Sequence, residues 1–128
     1  MNKFGYTKEV KTGFLETVDD VMFSLKEQGF GVVHKIDIQQ KISDKIGVDI
    51  GEYLIIGACN PIFAYDALQL EYELGLFFPC NIIVYKKDDK VFVSCILPSK
   101  TMNVLQNEKL ENLAKSVEEK LKNAINNL

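Results

Sequence analysis

The chain has 128 residues, a formal net charge of -3, 47% hydrophobic and 26% charged residues, a composition that folds as one domain and removes roughly two-thirds of its unfolded surface from water. Intrinsic disorder is excluded by that apolar content, and nucleic acid by lysines interleaved with acids, as in YKKDDKV (85–91). Asn60 and Asn81 interrupt the apolar stretches well short of a membrane span. Three cysteines without a C-x-x-C spacing, and an N-terminus (MNKFGYTKEV) without a secretory apolar core, predict a cytoplasmic protein with free thiols.

Phe4 and Tyr6 alternate with polar residues and predict a first strand. Phe14, Val18, Val21, Met22 and Leu25 fall at helical spacing, with Thr12 as the expected N-cap and Gly29 as the left-handed C-terminal residue. In FGVVHKIDI, Phe30, Val32, His34, Ile36 and Ile38 share one strand face. Asp37 and Gln40 then form a capping pair for a short helix through Ile42 and Ile46 to Gly47. EYLIIGACN, bounded by Gly51 and Pro61, reads as a central strand buried on both faces.

Asn60 caps the next helix and Pro61 suits its first turn, which puts Cys59 at a strand-to-helix junction. CNIIVYK and VFVSCIL flank KDDK as an antiparallel hairpin with Lys86 opposite Val91 and Ile82 opposite Cys95, ended by Pro98. The last helix, 107–126, places Leu110, Leu113, Val117, Leu121 and Ile125 on one face. The sum is a single α+β domain, 1–128, of two layers: about five mostly antiparallel strands with helices packed on one face. If the helix after Asn60 is a crossover, Cys59 and Cys80 lie at opposite sheet ends. If LEYELGLFFP carries the chain back, they meet.

GACNP (57–61), GLFFPCN (75–81) and VSCILP (93–98), with KEQGFGVVHKIDI and KIG upstream, resemble the domain-of-unknown-function family 302. The likeness covers the segment 4–98, with the C-terminal helix as an extension or a variable end. It implies a compact α/β domain, a dimer, and no established activity or cofactor.

The candidate ligand-binding residues are Cys59, Asn60, Cys80 and Asn81. Cys59 reads either as a thiol activated beside a helix start or as a small buried hydrophobe. Asn60 is a cap or an amide donor, and Asn81 sits in a strand, where asparagine is disfavoured. His34, the only histidine, would complete a metal set with both thiols, but the spacing lacks C-x-x-C or H-x-x-x-H and no metal is expected. Glu71 and Glu73 are a carboxylate pair or a solvated turn, and Lys35 and Asp37 an exposed pair or a pocket wall. No Ser-His-Asp set, phosphate loop or H-E-x-x-H is present, and Gly29-x-Gly31 follows a helix rather than a strand. These residues support a dimeric module with a small-molecule ligand near the two Cys-Asn dipeptides. The alternatives are a thiol-dependent enzyme or redox sensor using Cys59, and a structural oligomerising domain whose Leu76, Phe77 and Phe78 form the interface.

Overall fold

The protein is described here by a computed structural model covering residues 3–128. Five strands, β1 (Gly5–Val10), β2 (Gly31–Asp37), β3 (Tyr53–Cys59), β4 (Cys80–Lys87) and β5 (Lys90–Ile96), form one sheet in the order β1-β5-β4-β3-β2. Every neighbouring pair is antiparallel. The helices are α1 (Phe14–Glu27), α2 (Ile38–Ile46), α3 (Pro61–Leu70), the short α4 (Pro98–Thr101) and α5 (Glu108–Asn126). The domain is α+β, as its sequence predicts.

The hairpin has the expected register, with Lys86 opposite Val91 and Ile82 opposite Cys95. Asp88 and Asp89 both have positive φ, 52° and 63°, the backbone twist a two-residue hairpin turn requires. Alternation then places Ile82, Val84, Val93 and Cys95 on one face, where all are buried. Onto that face α1 delivers Val21 and Leu25, and α5 delivers Leu121 and Ile125, so that sheet and both helices share one core. Ser24 donates to the Ala124 carbonyl at 2.6 Å between the two helices. Tyr6 and Lys8 reach from β1 to Asn126 and the Leu128 carbonyl, both at 2.7 Å, which ties the end of α5 to the edge strand.

Three local expectations are corrected. The N-cap of α1 is Gly13, while Thr12 instead shares a 2.6 Å hydrogen bond with the buried Thr17 hydroxyl. In β2 the register shifts between Val32 and His34. This bulge turns Val32 and His34 to opposite faces, and Ile38 already belongs to α2. Third, β3 lies inside the sheet beside the central β4, but the core helices cover only one of its faces. Leu54, Ile56 and Ala58 meet the core, whereas Tyr53, Ile55 and Gly57 alternate onto the other face, which is why the run reads as continuously apolar.

Asp37 caps α2, accepting from the Gln40 amide at 3.0 Å, and Gly47 ends it at φ 69°. The chain after α3 makes a 3-10 turn, Tyr72–Phe77, and returns to the end of the sheet from which it left. Leu74 and Phe78 from that turn pack with Ala67 of α3 and Leu110 of α5 in a second apolar cluster.

Because Cys80 and Cys95 are neutral in the core, stability responds to alkaline pH. Burial, then the neighbouring thiols, raises the Cys95 thiol from 9.0 to about 12 and Cys80 to about 11. The unfolded chain therefore ionises first. Stability is fully present below pH 9 and falls as pH rises from 9 toward 12. Urea midpoints measured at pH 8 and pH 10.5 should drop for the native chain and drop less for Cys95→Ala. An equal drop in both would show that Cys95 is not the source.

Candidate functional site

The antiparallel pairing of β3 and β4 decides where the two dipeptides lie. Ala58 pairs with Cys80 and Gly57 with Asn81, so Cys59-Asn60 and Cys80-Asn81 meet at one end of adjacent strands. Asn60 begins α3, and its side-chain oxygen accepts the Phe63 amide at 3.4 Å. Its amide nitrogen rests against the turn at Gly29, where an added Cβ would lie 3.1 Å away. Capping is what its side chain does in this structure.

Between this corner, α3 and the N-terminal half of α5 is a cavity of about 40 Å³. Cys59, Asn60 and Cys80 border it, together with Ala64, Met102 and Leu113. No charged residue lines it. Cys80 is packed on the core, and charge on Cys59 adds to burial in raising its thiol. Cys95, one strand further, is buried and does not line the cavity.

Asn81 is the member of the expected site that does not line this cavity. Cys80 and Asn81 are consecutive in β4 and point to opposite faces. Asn81 is exposed, and borders two surface hollows, one of about 150 Å³ with Ile83 and Ser94 and one of about 180 Å³ with Cys80, Pro98 and Met102. On the same face the His34 imidazole lies over Gly57, with Cε1 2.6 Å and Cδ2 2.9 Å from where a Cβ would be. His34 Nδ1 is buried without a hydrogen-bond partner. Among the described residues no group of three or more histidine, cysteine, aspartate or glutamate side chains is placed to hold a metal. Glu71 caps the 3-10 turn through the Glu73 amide at 3.2 Å, and Asp37 is engaged at α2; neither the Glu71-Glu73 pair nor the Lys35-Asp37 pair lines the cavity.

Met102, Phe63 and Ala64 complete the cavity and were not expected from the sequence. Pro98 reads as a strand terminator, and nothing periodic in 98–105 signals that α4 and the following 3-10 turn, Met102–Leu105, fold back over the sheet end. The Leu76-Phe77-Phe78 run is divided: Phe78 packs inward while Leu76 is 83% exposed.

The family model of the domain of unknown function DUF302 matches residues 6–128. The chain belongs to the DUF302 family. The match runs through α5, which supplies Leu121, Ala124 and Ile125 to the core. Among solved structures, the crystal structure of an uncharacterized conserved DUF302 protein from Bacillus stearothermophilus is similar, at 27% identity and a TM-score of 0.93, covering 98% of each chain. No curated protein matches. No helix among the described residues of this DUF302 chain is long and apolar enough to cross a membrane.

The surroundings of the three thiols order their reactivity. Cys59 is half-buried at the N-terminus of α3, whereas burial suppresses thiolate formation at Cys80 and still more at Cys95. Iodoacetamide under native conditions should label Cys59 first and Cys95 only on unfolding, as followed by peptide mass spectrometry. First labelling at Cys95, or labelling of Cys59 only in denaturant, would remove the thiol from any site argument.

Proposed function

We propose that this protein is a small-ligand-binding module whose pocket is the cavity beside the two Cys-Asn dipeptides. One observation carries the reading: an uncharged hollow, bordered by Cys59, Asn60 and Cys80, sits where β3, β4, α3 and α5 converge. Pockets of this kind are largely apolar with few polar groups fixing orientation. Asn81 does not share it and is assigned to the opposite face. The test is a titration with short-chain alcohols and haloalkanes, followed by the methyl resonances of Ala64, Leu113 and Met102. Saturable shifts confined to those methyls support the pocket. Shifts that are absent, or that grow linearly across the surface, contradict it.

A homodimer is the second part of the proposal, and the face without core helices is the surface we assign to it. Tyr53, Tyr85 and Phe92 stack across three strands there, with ring centroids 5.6 and 5.3 Å apart. Ile55 and Ile83 pair beside them, while the charged Glu9, Lys87 and Lys90 stand at the margins. A charge-free centre with aromatic anchors is the composition of an interface core. Light scattering at high micromolar concentration should give a dimer for the native chain and a monomer for Tyr85→Arg. A native monomer refutes the dimer. A dimer disrupted instead by Leu76→Asp moves it to the 3-10 turn.

A further inference from the structure

We infer that the sheet face without core helices carries a second binding site, built by His34 and Asn81 on either side of Gly57, for a small neutral carbonyl compound with an apolar body, such as an aryl amide. It is separate from the cavity proposed above and does not rest on it. Gly57 pairs with His34 on one side and with Asn81 on the other, so two polar side chains flank a strand position that has no side chain of its own. The imidazole occupies part of that gap, with Cε1 2.6 Å and Cδ2 2.9 Å from where a Cβ would be. The ring therefore lies over β3, one strand spacing of about 4.8 Å from the strand that carries Asn81.

The polarity of the two groups selects the ligand. His34 Nδ1 is buried without a hydrogen-bond partner, and a proton there would be an orphaned buried N–H, which folded proteins rarely keep. The proton belongs on Nε2, the nitrogen that lies against the Gly57 position. Asn81 is exposed, and its side chain is engaged by no described residue, so its amide is a second N–H donor across the gap. Two donors on either side of one gap call for an oxygen acceptor between them. Charge decides its kind. No charged residue lines the hollows that Asn81 borders, so a carboxylate would lose its water without a counter-charge, whereas a neutral carbonyl loses far less.

The larger body of the ligand follows from the hollow on the far side of Asn81. Its volume is about 150 Å³, and Phe4, Ile83 and Ile96 give it an apolar lining. An apolar cavity of about that size holds a benzene ring. Gly5, which pairs with Ile96, leaves this hollow open as Gly57 leaves the gap beside His34. The one hydroxyl of the lining, on Ser94, is shared with Thr7 at 2.8 Å and so does not compete for the carbonyl. The stacked Tyr53 and Tyr85 lie four residues away along β3 and β4, about 13 Å, and take no part in the site.

The test is a titration of the native protein with benzamide, benzoate and benzene above neutral pH, followed by the methyl resonances of Ile83 and Ile96. Proton–nitrogen correlation spectra of the imidazole accompany it, and their assignment is immediate because His34 is the one histidine. The free protein should show a protonated Nε2 and a bare Nδ1. Benzamide should shift both methyls saturably and move the Nε2 resonance. A net hydrogen bond is worth about 3- to 10-fold in affinity, so benzoate and benzene should each bind more weakly by at least about 3-fold. Asn81→Ala, and His34→Phe, which keeps a ring over Gly57, should each weaken benzamide by about 3- to 10-fold. The methyls of Ala64 and Leu113 should stay still, which separates this site from the cavity. Absence of saturable shifts, a proton on Nδ1, benzoate binding as tightly as benzamide, or full affinity in Asn81→Ala overturns the proposal, as do shifts confined to Ala64 and Leu113. If His34→Phe does not fold, the nitrogen spectra of the native protein and the Asn81→Ala titration decide it.

Discussion

Leu121→Ala should destabilise the protein by about 2–5 kcal/mol, the range for truncating a buried leucine when its surroundings close only partly. Leu121 is 0% exposed and packs in the core with Leu25, Val93 and Ile125. Chemical denaturation measures the loss through the shift of the midpoint at unchanged slope. Leu76→Ala, at a position 83% exposed, is the control and should move the midpoint little. The same packing predicts that a chain ending at residue 106 has no cooperative transition, because Leu121, Ala124 and Ile125 leave the core together. A truncated chain that melts cooperatively would make α5 an appendage. A Leu121→Ala loss below 1 kcal/mol would show that α5 is docked more loosely than its burial indicates.

Gly57→Ala should also be costly, for a reason specific to one neighbour. The new methyl would meet the His34 ring at Nε2, Cε1 and Cδ2, closer than carbon contacts in proteins allow. Overpacking of this kind costs about 1–3 kcal/mol. Because the obstacle is a side chain, the clash is removable. In a His34→Ala background the same Gly57→Ala change should cost much less, and a double-mutant cycle should return a coupling of the order of the clash itself. Additive effects in the cycle would mean that the imidazole swings aside freely, and the glycine of the GACNP stretch would then need another explanation.

How far the fold was legible follows from which signals are local. The hairpin register was readable because Asp88-Asp89 is so short a connection that the turn fixes the pairing of every residue behind it. The apolar face of α5 and the caps at Asp37 and Asn60 were readable for the same reason, since the partners lie within a few residues. The bulge before His34 was not, because Val32-Val33 carries no glycine or proline to mark it.

The site was half legible. Cys59, Asn60 and Cys80 border one hollow, but whether the dipeptides met depended on the direction of β4, which a twenty-residue connection through α3 leaves open. Asn81 was assigned to the same hollow because the two Cys-Asn pairs look alike in sequence. Strand alternation sends consecutive residues of β4 to opposite faces, whereas Asn60 has already left the strand to cap a helix. Met102 was invisible because the segment that carries it has no period of its own.

The hollow itself is most directly tested by a crystal of the native protein under xenon pressure, since xenon occupies apolar cavities independently of any chemistry the ligand might have. The expected result is a xenon atom between Cys80, Ala64 and Leu113, in the cavity of about 40 Å³ that Cys59, Asn60 and Cys80 border. Xenon absent from that position, or found only in the surface hollow beside Asn81, would contradict the pocket.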